Sequence, residues 1–106
     1  MRVLLDECVH ADVRAAFPDD HVETATEAGW RGLEDGVLLA LAQTRFDVLV
    51  TIDRSLEHQN NLANFNLGVV VVHVRSNEIG SFQPLFSQIR DATARVRPGT
   101  AVQVPR

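Results

Sequence analysis

Apolar and polar positions alternate along the chain in a way that predicts a sheet interleaved with helices. Short apolar runs bounded by polar residues are typical of strands, and the segments between them carry helical spacing. Strands are predicted over residues 2–6, 21–26, 47–53, 69–74 and 100–104. The run at 69–74 contains four consecutive valines, which favours a central or nearly central strand. We therefore expect an α/β fold of three layers, with a five-stranded, mainly parallel sheet between helices.

The first half of the chain contains two predicted helices. Val9, Val13 and Phe17 recur at helical spacing ahead of a proline, which predicts a helix directly after the first strand. Gly29 and Gly32 bracket a predicted turn. A longer helix should follow them, over residues 33–44.

Two further helices are predicted in the second half. Asp53 or Ser55 is a candidate cap for a short helix that ends near residue 59, and asparagines mark a loop beyond it. Ser81 is a candidate cap for the last helix, in which Pro84 occupies the first turn. The final strand, 100–104, should lie at an edge of the sheet.

Length and composition narrow the class of protein. A chain of 106 residues with 45% apolar residues suits one globular domain. Cys8 is the only cysteine, so no internal disulfide can form, which favours a reducing compartment. The apolar opening stops at Asp6, too early for a signal peptide or a membrane span. We therefore expect a cytoplasmic protein.

Charge limits how such a protein binds nucleic acid. The net charge is −4, and every one of the ten basic side chains is arginine. Bulk attraction to phosphates is therefore excluded as the main source of affinity. Contact with RNA would need cations that neutralise the carboxylates, or a few arginines that hold phosphates as planar forks.

Candidate chemistry lies where the predicted strands end. Parallel sheets bind their ligands at the carboxyl ends of strands, and Asp6 with Glu7 follows the first strand whereas Asp53 ends the third. Two neighbouring carboxylates repel each other unless a cation offsets their charge. Mg²⁺ and Mn²⁺ prefer such oxygen ligands and accept phosphate oxygens as the remainder of their shell. This set predicts a divalent-metal site suited to phosphodiester hydrolysis.

Other residues at the same edge are candidates for weaker reasons. Arg54, Arg75 and Asn77 follow strand ends, where they would hold a phosphate or else pair with the acidic residues. Capping of a helix is the competing explanation for Asp6 and Asp53. Asp35 in the first turn of a helix is explained by the helix dipole alone. Cys8 and the four histidines show no ligand spacing, so structural roles are favoured for them.

Several stretches together resemble the DUF5615 PIN-like family, small relatives of the PIN-domain ribonucleases. The resemblance covers nearly the whole chain, and it rests on the order and spacing of the matching stretches. The matching stretches are 4–7, 29–30 with Gly32, Asp35 with 38–42, 46–54, 59–62, and 69–74 with 76–77. The resemblance implies a PIN-like fold, a Mg²⁺ or Mn²⁺ site, ribonuclease activity, and the role of toxin held by a small antitoxin protein.

Residue by residue, the resemblance places the acidic set on Asp6, Asp35 and Asp53. Glu7 is a candidate metal ligand only through its position after Asp6, and the alternative is that it faces solvent in the first helical turn. The resemblance is incomplete at three positions. Gly36 and Val37 stand where many relatives have further acids, and Ser55 stands where a second aspartate often follows the strand. A fourth carboxylate is therefore missing or comes from elsewhere.

Three alternatives remain at the level of sequence. A response-regulator receiver has similar acidic positions but needs a lysine, and the chain contains none. A haloacid-dehalogenase-like phosphatase needs an aspartate where Cys8 stands. The third alternative is a catalytically weak PIN-like module that works by binding a partner, with Asp6 and Asp53 acting as caps. A second copy of the chain is a further possible partner.

Overall fold

The computed structural model describes residues 1–105 and contains one five-stranded sheet. Its strands are β1 (Arg2–Leu5), β2 (His21–Thr24), β3 (Val48–Thr51), β4 (Gly68–Val72) and β5 (Ala101–Val104). Their order is β2-β1-β3-β4-β5, and every pair is parallel. The α/β class and the five-stranded parallel sheet are therefore confirmed. β3 is the central strand, and β4 lies next to it.

Helices cover both faces of the sheet, because the strand side chains alternate between two apolar cores. Val48 and Val50 point into a core with the last helix, α4 (Phe86–Arg95), whereas Leu49 points into a second core with the first α-helix, α1 (Asp35–Ala42). The α-helices are α1 (Asp35–Ala42), α2 (Leu56–Gln59), α3 (Ile79–Phe82) and α4 (Phe86–Arg95). Three 3₁₀ helices accompany them, at Ala11–Ala16, Leu62–Asn64 and Gln83–Leu85.

Two predicted helices differ from the structure. The first is a 3₁₀ helix, Ala11–Ala16, whose N-cap is His10. The last is divided into α3, a 3₁₀ turn and α4, and Ser81 lies inside α3, so its prediction as the cap was wrong. Pro84 explains the division, since it has no backbone N–H to continue the helical hydrogen bonds.

The predicted turn before α1 is confirmed in detail. Gly29 and Gly32 have φ angles of +83° and +79°, a region that favours glycine. Trp30 between them packs edge-on against Phe46, with ring centroids 5.9 Å apart. The turn is therefore held against Phe46, which belongs to the same apolar core as α1.

Gly68 allows the start of β4 to lie close to the chain that follows α4. A Cβ atom at this position would lie 2.7 Å from Cγ1 of Val96, which is shorter than a normal contact. The absence of a side chain therefore sets the packing distance between β4 and the segment leading to β5.

Among residues 1–105, no helix has the length and apolar character required to cross a bilayer.

Candidate functional site at the carboxyl edge of the sheet

The sheet order brings Asp6 and Asp53 to one edge, as the sequence predicted. β1 and β3 are neighbours, with Leu5 level with Val50, so the residues that follow both strands emerge side by side. Asp6 is 7% exposed although it carries an acidic side chain. A carboxylate so deeply placed requires hydrogen-bond partners to offset the loss of water.

Thr51 supplies the partner that links the two strand ends. Its hydroxyl donates to Oδ2 of Asp6 at 2.7 Å, and its Oγ1 accepts a hydrogen bond of 3.1 Å from the backbone N–H of Asp53. Oδ1 of Asp6 accepts from the N–H of Glu7 at 2.8 Å. Asp6 therefore does not cap a helix, and Thr51 fixes its carboxylate relative to the chain of Asp53.

Asp53 shapes the turn that leads into α2. Its Oδ1 accepts hydrogen bonds from the backbone N–H and the hydroxyl of Ser55, at 3.0 and 2.7 Å. The N-cap of α2 is Ser55, without a side-chain capping bond. Asp53 therefore has a structural role through one oxygen, and no described residue donates a hydrogen bond to its Oδ2.

Asp35 is the first residue of α1, just after the turn formed around Gly29 and Gly32. Burial raises the pKa of its carboxyl above the usual value of 3.8, and the charges of Asp53 and Asp6 raise that pKa further. The three predicted acidic residues thus lie close enough to act on one another electrostatically. An open cleft of about 420 Å³ lies beside Asp35, lined also by Gln59 and Asn60.

The donor set at this edge fits a hard divalent cation in its chemistry. The oxygens come from carboxylates whose negative charges repel one another. Mg²⁺ in proteins binds through one or two carboxylates and completes its shell with waters and phosphate oxygens. Within residues 1–105, no group of three or more His, Cys, Asp or Glu side chains is placed so as to hold a metal ion.

Glu7, the fourth predicted metal ligand, is engaged with the turn before α1. Its Oε1 accepts a hydrogen bond of 3.1 Å from the N–H of Gly32, and its Oε2 lies 3.8 Å from Nε of Arg31. The side chain is exposed rather than directed into the core. Glu7 therefore ties the end of β1 to the turn that precedes α1.

The predicted substrate-binding residues all lie at the surface. Arg54, Arg75 and Asn77 are exposed. Within the described part of the chain, neither arginine forms the alternative ion pair with Asp6 or Asp53. Both arginines are therefore accessible to solvent, and Arg75 lines a pocket with Ser81 and Pro84 rather than with the acidic residues.

Cys8 is half-buried and lies against Thr51. Its Sγ is 3.7 Å from Oγ1 of Thr51. Burial raises the pKa of the thiol, and the negative charge of Asp6 adds to this increase. A thiol with a raised pKa is a poor nucleophile at neutral pH.

Two features of the edge do not follow from the sequence pattern. Thr51 belongs to an otherwise apolar run, although a hydroxyl at the last position of a strand is a usable signal. His73 was predicted to lie within a strand, but it follows β4 and bonds to Gln103, a contact between residues 30 positions apart. No local pattern indicates such a contact.

Comparison with family models, with curated proteins and with solved structures gave no match to this chain.

Proposed function

We propose that this chain is a PIN-like ribonuclease that hydrolyses RNA phosphodiester bonds with Mg²⁺ or Mn²⁺ at the edge formed by Asp6, Asp35 and Asp53. The observation that carries the proposal is the buried carboxylate of Asp6, held by Thr51 beside the chain of Asp53. Maintaining an acidic group in this position costs stability, and such costs are concentrated at functional sites.

In this proposal the acidic residues bind the cation and the arginines bind the RNA. Asp6, Asp35 and Asp53 would hold the cation, and Glu7 would join them as a further ligand only by giving up its contacts with Gly32 and Arg31. The cation supplies positive charge at the attacked phosphate and lowers the pKa of water. Arg54 and Arg75 bind flanking phosphates through their guanidinium forks, and Asn77 donates or accepts a hydrogen bond at the same surface.

Residues that hold a cation weakly on their own suit this reaction. Mg²⁺ keeps several waters and takes phosphate oxygens from its substrate, so the RNA completes the site. The net charge of −4 points in the same direction, because the chain must gain positive charge before a polyanion binds.

The proposal extends to biological context through the family resemblance. The chain is proposed to be the cytoplasmic toxin of a toxin–antitoxin pair, with a small antitoxin protein as its partner. Expression of the chain without its partner tests this directly. The wild type should arrest growth, and Asp53→Asn should relieve the arrest.

Cleavage of single-stranded RNA by purified protein, freed of any partner, tests the proposed reaction. Manganese-dependent cleavage is expected, and Asp53→Asn should abolish it while the cooperative unfolding transition is retained. Asp47→Asn is the matched control. Asp47 lies just before β3, at the opposite end of the same strand, where its carboxylate accepts from the N–H of Arg2. No cleavage across RNA pools by the wild type would overturn the proposal.

A second candidate is a PIN-like module that acts only by binding a partner. The bonds from Ser55 to Asp53 favour it, because they give this carboxylate a structural role without a metal. The two candidates differ in whether RNA is cleaved. The binding module predicts that neither the wild type nor Asp53→Asn cleaves RNA.

A further inference from the structure

A chain of hydrogen bonds joins three half-buried side chains at the carboxyl edge of β4 and β5. Gln103 of β5 donates from Nε2 to Oε1 of Glu57 on α2. Its Oε1 bonds to Nε2 of His73, which directly follows β4. The proposed metal site uses none of these residues. The chain Glu57–Gln103–His73 therefore needs its own explanation.

The order of donors in this chain fixes the tautomer of His73. The carboxylate of Glu57 accepts hydrogen bonds and donates none, so the amide of Gln103 must present its NH₂ group to Glu57. The carbonyl oxygen of Gln103 then faces His73, and Nε2 of His73 must carry the hydrogen. In a neutral imidazole with a hydrogen on Nε2, Nδ1 is an acceptor.

That acceptor is open to solvent. No group within residues 1–105 is bonded to Nδ1 of His73, and every buried side-chain nitrogen or oxygen in this part of the chain has a partner. Nδ1 is therefore not buried. The ring itself cannot turn freely, because Gln103 holds the opposite nitrogen.

The sheet register places His73 beside the acidic edge. Thr51 of β3 is level with Val71 of β4, and Val71 is level with Gln103 of β5. β4 is the neighbour of β3, and His73 directly follows β4, so it leaves the sheet at the same end as Asp53. Its bond to Gln103, which bonds to Glu57, links the ring to α2.

The chemistry of Nδ1 restricts what it can bind there. Phosphate oxygens are acceptors, so an acceptor nitrogen makes no hydrogen bond with them. The ribose 2′-hydroxyl is a donor, and it distinguishes RNA from DNA. We propose that Nδ1 of His73, held by Gln103 and Glu57, accepts a hydrogen bond from a ribose 2′-hydroxyl of the bound RNA. This inference rests on the proposed ribonuclease function and adds selection of RNA by sugar.

Cleavage of two matched oligonucleotides in mildly alkaline buffer tests the proposal. One is an oligoribonucleotide and the other carries 2′-fluoro groups, which cannot donate a hydrogen bond. The wild type should prefer RNA in kcat/KM by about two- to tenfold, the effect of one neutral hydrogen bond. His73→Phe should remove the preference. His21→Phe, at the opposite end of the sheet, should keep it.

A second variant and a spectroscopic measurement separate the possible failures. Nitrogen NMR of the wild type should show the Nε2–H tautomer of His73, and Gln103→Leu should give a mixture and reduce the preference for RNA. An Nδ1–H tautomer, or a His73→Phe variant that cleaves RNA with unchanged preference, overturns this inference alone. A wild type that cleaves neither oligonucleotide overturns the proposed function, and the sugar selection with it.

Discussion

The hydroxyl of Thr51 donates a 2.7 Å hydrogen bond to Oδ2 of Asp6, across two neighbouring parallel strands. Thr51 is fully buried and Asp6 nearly so. This bond joins the polar edge to the apolar core, because Thr51 is the last residue of a strand whose other side chains are all apolar. The position of the Asp6 carboxylate is therefore set by the core of the sheet rather than by a loop.

Removal of this hydroxyl should destabilise the protein. Thr51→Val keeps the shape of the side chain but leaves Oδ2 of the buried Asp6 carboxylate without its donor. The expected loss is about 1–3 kcal/mol in the free energy of unfolding, measured by urea denaturation. Thr51→Ser is the control, since it keeps the hydroxyl and loses only a methyl group, at a cost of about 1 kcal/mol. Equal stability of Thr51→Val and wild type would contradict the role of this bond.

Asp35→Asn should stabilise the metal-free protein at neutral pH. Burial, followed by the charges of Asp53 and Asp6, raises the pKa of Asp35 in the folded state. A raised carboxyl pKa means that folding favours the protonated form. Its stability contribution is therefore present below the unfolded pKa of about 3.8 and is lost as the pH rises through the folded pKa.

The gain from Asp35→Asn should stay below about 1 kcal/mol, because the side chain is partly exposed and solvent screens its charge. It should appear in urea denaturation at neutral pH in the presence of a chelator, and it should vanish in acid below the ordinary aspartate pKa. Asp19→Asn, at an exposed position before β2, should change stability by less than about 0.5 kcal/mol. An Asp35→Asn variant less stable than wild type at neutral pH would contradict the electrostatic account.

Gly68→Ala should destabilise the sheet through contact with the chain after α4. Its new Cβ would lie 2.7 Å from Cγ1 of Val96, so one of the two must move. Overpacking of this kind costs about 1–3 kcal/mol, which thermal and urea denaturation would detect. Val96→Ala in the same chain should recover part of the loss.

Gly80→Ala is the matched control for the substitution at Gly68. Gly80 lies inside α3, and nothing lies within 4 Å of a Cβ atom there. The change should be neutral or stabilising by up to about 1 kcal/mol, because alanine favours a helix. Similar losses at both glycines would rule out the contact with Val96 as the cause.

Sequence patterns predict the sheet well because buried parallel strands leave continuous apolar runs. The runs around β3 and β4 are of this kind, and the same pattern predicts where each strand ends. That pattern is therefore enough to predict that Asp6 and Asp53 share one edge of the sheet. It does not predict the divided last helix, because the apolar spacing continues across Pro84 while the backbone hydrogen bonds do not.

The partners of the site residues are less predictable than their positions. Thr51 bonds to Asp6 over 45 positions, and Gln103 bonds to Glu57 over 46. Such contacts depend on strand order and register, and the sequence pattern gives neither. The sequence also does not predict that Arg54 and Arg75 form no ion pair with Asp6 or Asp53, because this depends on where the side chains lie in the folded protein.

The proposed metal site is best tested with manganese in crystals of the protein, because anomalous scattering locates the ion without reference to activity. A peak is expected at the carboxyl edge of β1 and β3, about 2.1 Å from carboxylate oxygens of Asp6, Asp35 or Asp53. The peak should disappear in Asp53→Asn and remain in Asp47→Asn. A crystal soaked in manganese that shows no peak at this edge would rule out a metal site formed by these three aspartates.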